Sequence, residues 1–312
     1  MGWQIDYLLL LQCFRDTSHH IFDKFFIFIT LFGEVTIPFI FICILYWAIN
    51  KKVGQFVLWS YMFGFIANLA VKMTACIYRP WILDSRVHPL PQAIPAATGY
   101  SFPSGHTAGA VTIWGAFALS YWKNKWIRYS CIALILCVMF SRNYLGVHTP
   151  QDVVVSFILS CLVLWFTGKF INWVDKEDNN KNKDVIAVVS VYAAVLLLLG
   201  YVFFKSYPID YLCGKVLYDP TSFKYEILNR SGVLFGAFLG WLLERRFVNF
   251  QPEFGSIAKK IIRVGVGIVL LFALHSSSKI SCLPLWAQYI QSLILGLFIT
   301  YIYPFVIKKY SL

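Results

Sequence analysis

Residues 185–204 read VIAVVSVYAAVLLLLGYVFF, twenty residues in a row without a charged side chain. At 1.5 Å of rise per residue such a run forms a helix of about 30 Å, the thickness of the hydrocarbon layer of a bilayer. Working outward from it, comparable apolar runs recur along the whole chain, near residues 26–49, 53–76, 104–122, 126–141, 151–171, 231–244, 261–275 and 285–306. The composition agrees. Of the 312 residues 59% are hydrophobic and 13% charged, against about a quarter charged in an ordinary soluble domain. The expected fold class is an all-α polytopic membrane protein with about nine transmembrane helices, the seventh and eighth being short. Residues 1–24 set Trp3, Tyr7 and a leucine run against Asp6, Arg15 and Asp16, the pattern of a helix lying in the membrane interface. The start MGWQIDYLLLLQCF lacks the basic residues and small-residue cleavage site of a signal peptide.

The net charge of +12 raises nucleic-acid binding, and the placement of the charges argues against it. Basic residues cluster in alternate loops: Lys51 and Lys52; Lys123, Lys125 and Arg128; Lys169, Lys176, Lys181 and Lys183; Arg245, Arg246, Lys259, Lys260 and Arg263; and Lys308 and Lys309 in the tail. Together these hold 16 of the 27 basic residues. The positive-inside rule puts those loops, Asn179 among them, in the cytoplasm, and with nine spans the N-terminus lies outside and the C-terminus inside. Segments near 77–103, 142–150, 205–230 and 276–284 then face outward. The eight cysteines form no CxxC pair and no zinc-type spacing. Cys213 and Cys282 share the outward side, where a disulfide is permitted; a bridge between them and two unpaired thiols are the alternatives.

The chemically expressive residues all fall on that outward side, in three clusters. The first, Lys72-Met-Thr-Ala-Cys-Ile-Tyr-Arg79-Pro80, brings Lys72 and Arg79 to nearly one face if the helix continues at regular pitch until Pro80 ends it. Both could instead snorkel to the membrane surface, although Lys72 lies more than a turn inside the apolar run, where an ionisable residue marks function. The second, Tyr100-Ser101-Phe102-Pro103-Ser104-Gly105-His106-Thr107, opens a helix with Ser104 as N-cap and Gly105 leaving the first-turn N–H groups open to an oxyanion. Its ordinary reading is a capped helix with His106 satisfied by a neighbour. The third, Ser141-Arg142-Asn-Tyr-Leu-Gly-Val-His148-Thr149-Pro150-Gln151-Asp152, contains a capping box from Thr149 to Asp152. Asp152 either only caps or also takes the Nδ1 proton of His148 and exposes Nε2 as a nucleophile.

Taken in order, Lys-x6-Arg-Pro, Pro-Ser-Gly-His and Ser-Arg-x5-His-x3-Asp make a three-part signature, and through it the chain resembles the type 2 phosphatidic acid phosphatase superfamily with no departure at any signature position. The resemblance covers residues 72–152. It implies a helical-bundle phosphatase core over residues 25–205, with 1–24 an N-terminal interfacial segment and 206–312 additional transmembrane helices. It further implies that Lys72, Arg79 and Arg142 clamp the phosphate oxygens while Ser104 and the Gly105 N–H complete the cradle. His148 would attack phosphorus, His106 would protonate the leaving alcohol and then activate water, and Asp152 would hold His148. Three fixed cations can supply the charge that other phosphoryl-transfer enzymes take from magnesium. The clusters contain one carboxylate, too few oxygen ligands for a metal site, so no metal and no cofactor are expected.

The expected substrate is a lipid phosphate, such as phosphatidate, phosphatidylglycerol phosphate or a polyprenyl pyrophosphate, with membrane lipids as the other partners. A soluble sugar phosphate is the alternative, because the span count, the outside N-terminus and the placement of Lys72 look like the glucose-6-phosphatase branch. Transfer of phosphate to another lipid and a non-catalytic lipid-binding role are further readings; the second fits poorly with a full set of signature residues. A transporter would be expected to show paired or inverted halves, and none is visible. The tail Lys308-Lys309-Tyr-Ser-Leu is one residue too long for a dilysine retrieval signal. The expected location is a bacterial plasma membrane with the site facing outside. The oligomeric state is not legible.

Overall fold

The computed structural model describes residues 2–176, 182–212, 215–216, 218–278 and 284–310. Asn179, Cys213 and Cys282 lie outside the described residues. Among the described residues the regular secondary structure is helical apart from a short antiparallel ladder in which Tyr211 faces Val216. It divides into two compact units, residues 1–39, 56–169 and 207–219 in one and residues 40–55, 170–206 and 220–312 in the other.

In the first unit α6 (Gly105–Ser120) is the central element, with eleven of its sixteen residues buried. A helix apolar on every side belongs inside a protein, and the run GHTAGAVTIWGAFALS supplies small residues that let neighbours approach closely. It packs against α7 (Lys125–Tyr144) and the turn Leu31–Gly33, while α2 (Asp23–Thr30) and α1 (Gly2–Thr17) lie on α7. The N-terminal helix is more than a surface float. It buries Ile5, Leu8 and Leu11, Arg15 Nη2 donates to His88 O at 2.8 Å, and Gln4 Nε2 donates to Gln151 Oε1 at 2.7 Å.

The span expectations are partly met. Among the described residues Lys51–Leu83, Pro150–Asp175, Lys183–Phe204 and Leu285–Tyr310 are long and apolar enough to cross a membrane. Only 28% of the apolar window is buried in α8 (Pro150–Asp175) and in α9 (Lys183–Phe204), so each turns most of its apolar surface outward, as lipid contact requires. The segment expected as one span at 26–49 is two helices, Asp23–Gly33 and Thr36–Ile49, bent by 50°. Counting that pair gives five candidate spans. The other expected spans do not meet the same test of length and composition over the described residues. Helix α6 has sixteen residues, about 24 Å of rise, and α7 carries Lys125, Arg128 and Arg142. The two segments expected to be short belong to longer helices that bear charges in their N-terminal halves. These are α10 (Pro220–Leu243), with Lys224, Glu226 and Arg230, and α11 (Ile257–Ser278), with Lys259, Lys260 and Arg263.

In the second unit α10 packs along α12 (Leu285–Leu297) through a repeat of small residues. Gly232, Gly236 and Gly240 recur at four-residue intervals on α10. A Cβ on Gly236 would collide with the Leu293 carbonyl, one on Gly240 with Thr300 Oγ1, and one on Gly296 of α12 with the Val233 carbonyl. This is the small-residue crossing by which membrane helices bring their backbones together. Replacing helical Gly by Ala ordinarily gains about 1 kcal/mol of propensity. At Gly236 the Cβ instead meets backbone that cannot yield, and overpacking costs about 1–3 kcal/mol. Gly236→Ala should therefore lower the thermal aggregation midpoint of the detergent-purified protein. Gly265→Ala, whose Cβ meets nothing within 4 Å, should hold or raise it. Equal midpoints for the two variants would refute the crossing.

Candidate active site

The helix α4 (Lys51–Ala75) does not continue to Pro80. It stops at Ala75, and Cys76 takes a left-handed φ of 50° with its N–H on Lys72 O at 3.1 Å, the αL cap in which glycine is usual. Arg79 is extended, and Pro80 opens a short helix, α5 (Pro80–Leu83), instead of closing a long one. Lys72 and Arg79 thus do not share a helix face. They reach the same loop, residues 98–103, because the chain turns. Lys72 Nζ donates to three carbonyls, Tyr100 O at 2.6 Å, Pro103 O at 2.9 Å and Ser101 O at 3.2 Å, and so gathers the loop that leads into α6.

Arg79, 5% exposed, ties that loop to the third cluster. Nη2 donates to Thr98 O at 2.7 Å and Nε to Gly99 O at 3.1 Å, while Nη1 reaches both Val147 O at 3.1 Å and His148 Nε2 at 2.9 Å. A guanidinium only donates, so Nε2 of His148 carries a lone pair and its proton sits on Nδ1. That nitrogen faces Asp152 Oδ2 at 3.2 Å. The same carboxylate oxygen accepts from Ser101 Oγ at 2.6 Å and from the Thr149 N–H at 2.9 Å, and the Asp152 N–H donates to Thr149 Oγ1 at 3.3 Å. Asp152 is both the capping residue and the partner of His148. Burial, reinforced by Arg79, Arg142 and Lys72, keeps the His148 pKa well below that of a free histidine, and the imidazole is neutral.

Ser104 caps α6 in the expected way. Its Oγ accepts from Thr107 N at 3.4 Å and from Thr107 Oγ1 at 3.0 Å. Its backbone joins the clusters, with its N–H on Asp152 O at 3.1 Å and its carbonyl taking Ser156 Oγ at 2.7 Å. A Cβ built on Gly105 meets no atom within 4 Å, so the helix start is open on that side. His106, 8% exposed, lies in the field of Arg142, His148, Arg79 and Lys72. Arg142 is fully buried. Its Nη1 donates to Thr30 Oγ1 at 2.7 Å, while Nε and Nη2, like His106 Nε2, have no hydrogen-bond partner among the described residues. Buried unpaired donors are costly. An anion that takes hydrogen bonds from all of them removes the cost, and a phosphoryl group has the oxygens to do so.

All eight expected site residues therefore converge in one unit, joined by four residues that sequence reasoning passed over. Ser101 stands inside a quoted cluster and holds Asp152. Asn143 follows Arg142 and donates from Nδ2 to His148 O at 2.8 Å. Thr30 has no motif around it. Gly33 is legible only in the structure, where a Cβ on it would sit 2.5 Å from His106 O. Among the described residues no group of three or more His, Cys, Asp or Glu side chains could hold a metal ion.

Comparison with known proteins follows the same division of the chain. Residues 54–176 match the PAP2 superfamily, and residues 228–312 match the PAP2 superfamily phosphatase transmembrane extension. The chain is 29% identical to the undecaprenyl-diphosphatase BcrC of Bacillus subtilis, over 52% of this chain and 82% of that protein. It is 31% identical to an undecaprenyl-diphosphatase of Sulfolobus acidocaldarius, over 35% of this chain and about half, 51%, of that protein. A glucose-6-phosphatase catalytic subunit 1 of Haplochromis nubilus is 22% identical over 88% of this chain and 84% of its own length. No solved structure gives a significant match. With the signature of residues 72–152 inside one matched stretch and the last three long helices inside or overlapping the other, the chain belongs to the PAP2 superfamily.

Proposed function

We propose that this protein is a membrane-embedded phosphatase that hydrolyses a phosphomonoester or pyrophosphate of a lipid at the extracytoplasmic face, without a metal. The observation that carries this reading is the hydrogen bond from Arg79 to His148 Nε2 at 2.9 Å. It presents the nucleophilic lone pair beside the cation that receives the phosphate. Bound phosphate oxygens take over the donors of Arg79 and Arg142 and the N–H groups at the start of α6. Lys72 adds its charge through the loop it holds. Nε2 then attacks phosphorus in line and a phosphohistidine forms as the ester P–O bond breaks. Asp152 stabilises the positive ring, and His106 protonates the departing oxygen. In the second half His106 takes a proton from water, the water oxygen bonds to phosphorus, the P–N bond breaks, and phosphate leaves with His148 restored.

A lipid substrate is supported by the two undecaprenyl-diphosphatase relatives. A soluble sugar phosphate is the second reading, favoured by a specific observation: the glucose-6-phosphatase match runs along 88% of this chain, against 52% for BcrC. The proposed topology has nine spans with the N-terminus outside. A single cysteine at Asn179 and another in the loop 84–99, each in a cysteine-depleted protein, should react with an impermeant thiol reagent from opposite sides of sealed vesicles. Reaction of both from one side would exclude that topology.

The two histidines should separate kinetically. His148→Ala should abolish turnover of every substrate. His106→Ala should slow release of an alkoxide by roughly a hundredfold or more, yet with p-nitrophenyl phosphate, whose leaving group needs no acid, it should accumulate phosphohistidine on His148. Rapid quench and mass spectrometry in alkali read this directly; phosphate found on Ser104, or near-normal turnover in His148→Ala, would overturn the roles.

Activity should also survive excess EDTA and be inhibited by vanadate, which mimics five-coordinate phosphorus. Loss in EDTA with recovery on added magnesium would show that the three cations are not sufficient.

A further inference from the structure

A cavity of about 270 Å³ opens on Arg142 from the side of α2, walled by Ile27, Thr30, Leu31, Glu34 and Gln92. It lies within one unit and reaches the catalytic machinery at Arg142. Thr30, in its wall, is the residue that receives Arg142 Nη1. Gly33, the residue before Glu34, packs so closely on α6 that a Cβ would sit 2.5 Å from the His106 carbonyl. The cation that receives phosphate and the Glu34 carboxylate thus border one cavity, and the turn that leads into Glu34 rests on the main chain of His106. Among the described residues the Glu34 carboxylate accepts no hydrogen bond and makes no close ion pair, and its one charged neighbour is Arg142, within electrostatic reach across the cavity wall. It is half-buried, and it faces the cavity. Nothing in the mechanism uses it.

We propose that this cavity is the leaving-group subsite, and that Glu34 selects phosphomonoesters whose alcohol carries a free hydroxyl over diphosphates. The proposal rests on the phosphatase reading and narrows its substrate class. An ionised carboxylate only accepts, so a hydroxyl on the leaving group can donate to it in a strong charge-assisted bond. A diphosphate would bring a second anion to the same point, where like charges repel. A site built to hydrogen-bond a substrate hydroxyl discriminates far better than an apolar pocket does. The volume is below the 300–1,000 Å³ or so of pockets for larger ligands. It suits a compact polyol, with Ile27 and Leu31 against its carbon face. Such a polyol exists as the headgroup of phosphatidylglycerol phosphate and as a free hexose phosphate.

The test measures kcat/KM of the purified full-length protein for four substrates: phosphatidylglycerol phosphate in mixed micelles, glucose 6-phosphate, a polyprenyl diphosphate, and p-nitrophenyl phosphate as the reference without a hydroxyl. Ratios to the reference cancel the amount of folded protein. Wild type should prefer one of the two hydroxyl-bearing monoesters, and which one it prefers separates the lipid from the soluble source. Glu34→Gln and Glu34→Ala should each lower that ratio by about tenfold or more and raise the ratio for the diphosphate. Unchanged ratios in both variants would overturn the proposal. So would a wild-type preference for the diphosphate, with no variant needed. Release of phosphate from none of the four would instead remove the phosphatase reading beneath it.

Discussion

A guanidinium has no lone pair to offer, and the arrangement of this site follows from that limitation. Because Arg79 can only give hydrogen bonds, the ring nitrogen 2.9 Å away must receive one, and the proton of His148 is driven to the opposite nitrogen. Asp152 takes that side, and Ser101 and Thr149 hold its carboxylate from two further directions. The tautomer is therefore fixed by groups from three separate parts of the chain, residues 79, 101 and 148–152. None of them could be moved without releasing the others.

The same network answers the cost of placing cations where water is scarce. Lys72 is satisfied by three carbonyls and Arg79 by Thr98, Gly99 and Val147. Burying a charge is tolerable only when its donors are met in this way. Arg142 is the exception, with one donor on Thr30 and two unpaired. The protein has thus built two of its cations into the scaffold and left the third with binding capacity in hand. The positive charge is shared by all three, and the open hydrogen bonds are concentrated at one.

Much of the site was legible because the chemistry admits few residue types. A histidine with a carboxylate four residues on, an arginine six before it and a Ser-Gly-His helix start each name their role in a short span. What stayed hidden was carried by geometry alone. Cys76 occupies a left-handed cap where glycine would have announced a break, so the helix was read through to Pro80. Thr30 and Gly33 act by position, one beneath Arg142 and one against His106, and no motif marks either residue. The apolar runs gave the membrane class directly. The count of spans was less secure, because α6 is short and buried for reasons of packing, while charges at the ends of α7, α10 and α11 blur what is span and what is loop. The glycines of α10 were visible as a four-residue repeat; their meaning needed the facing carbonyls of α12.

The contacts of the N-terminal helix reach far along the chain: Arg15 to His88 and Gln4 to Gln151, the latter 147 residues away. A ribosome adding about 5–20 residues per second takes roughly 7–30 s to cover that distance. Over that time the inner face of the first helix is covered in stages, with Val87 and His88 arriving first and the residues of α7 after them. Gln151 arrives one residue before Asp152, so the helix can close onto its last partner only as the final signature residue is made. The last contact of the oldest segment and the carboxylate that holds His148 thereby arrive together in biosynthesis, and a chain interrupted earlier lacks both.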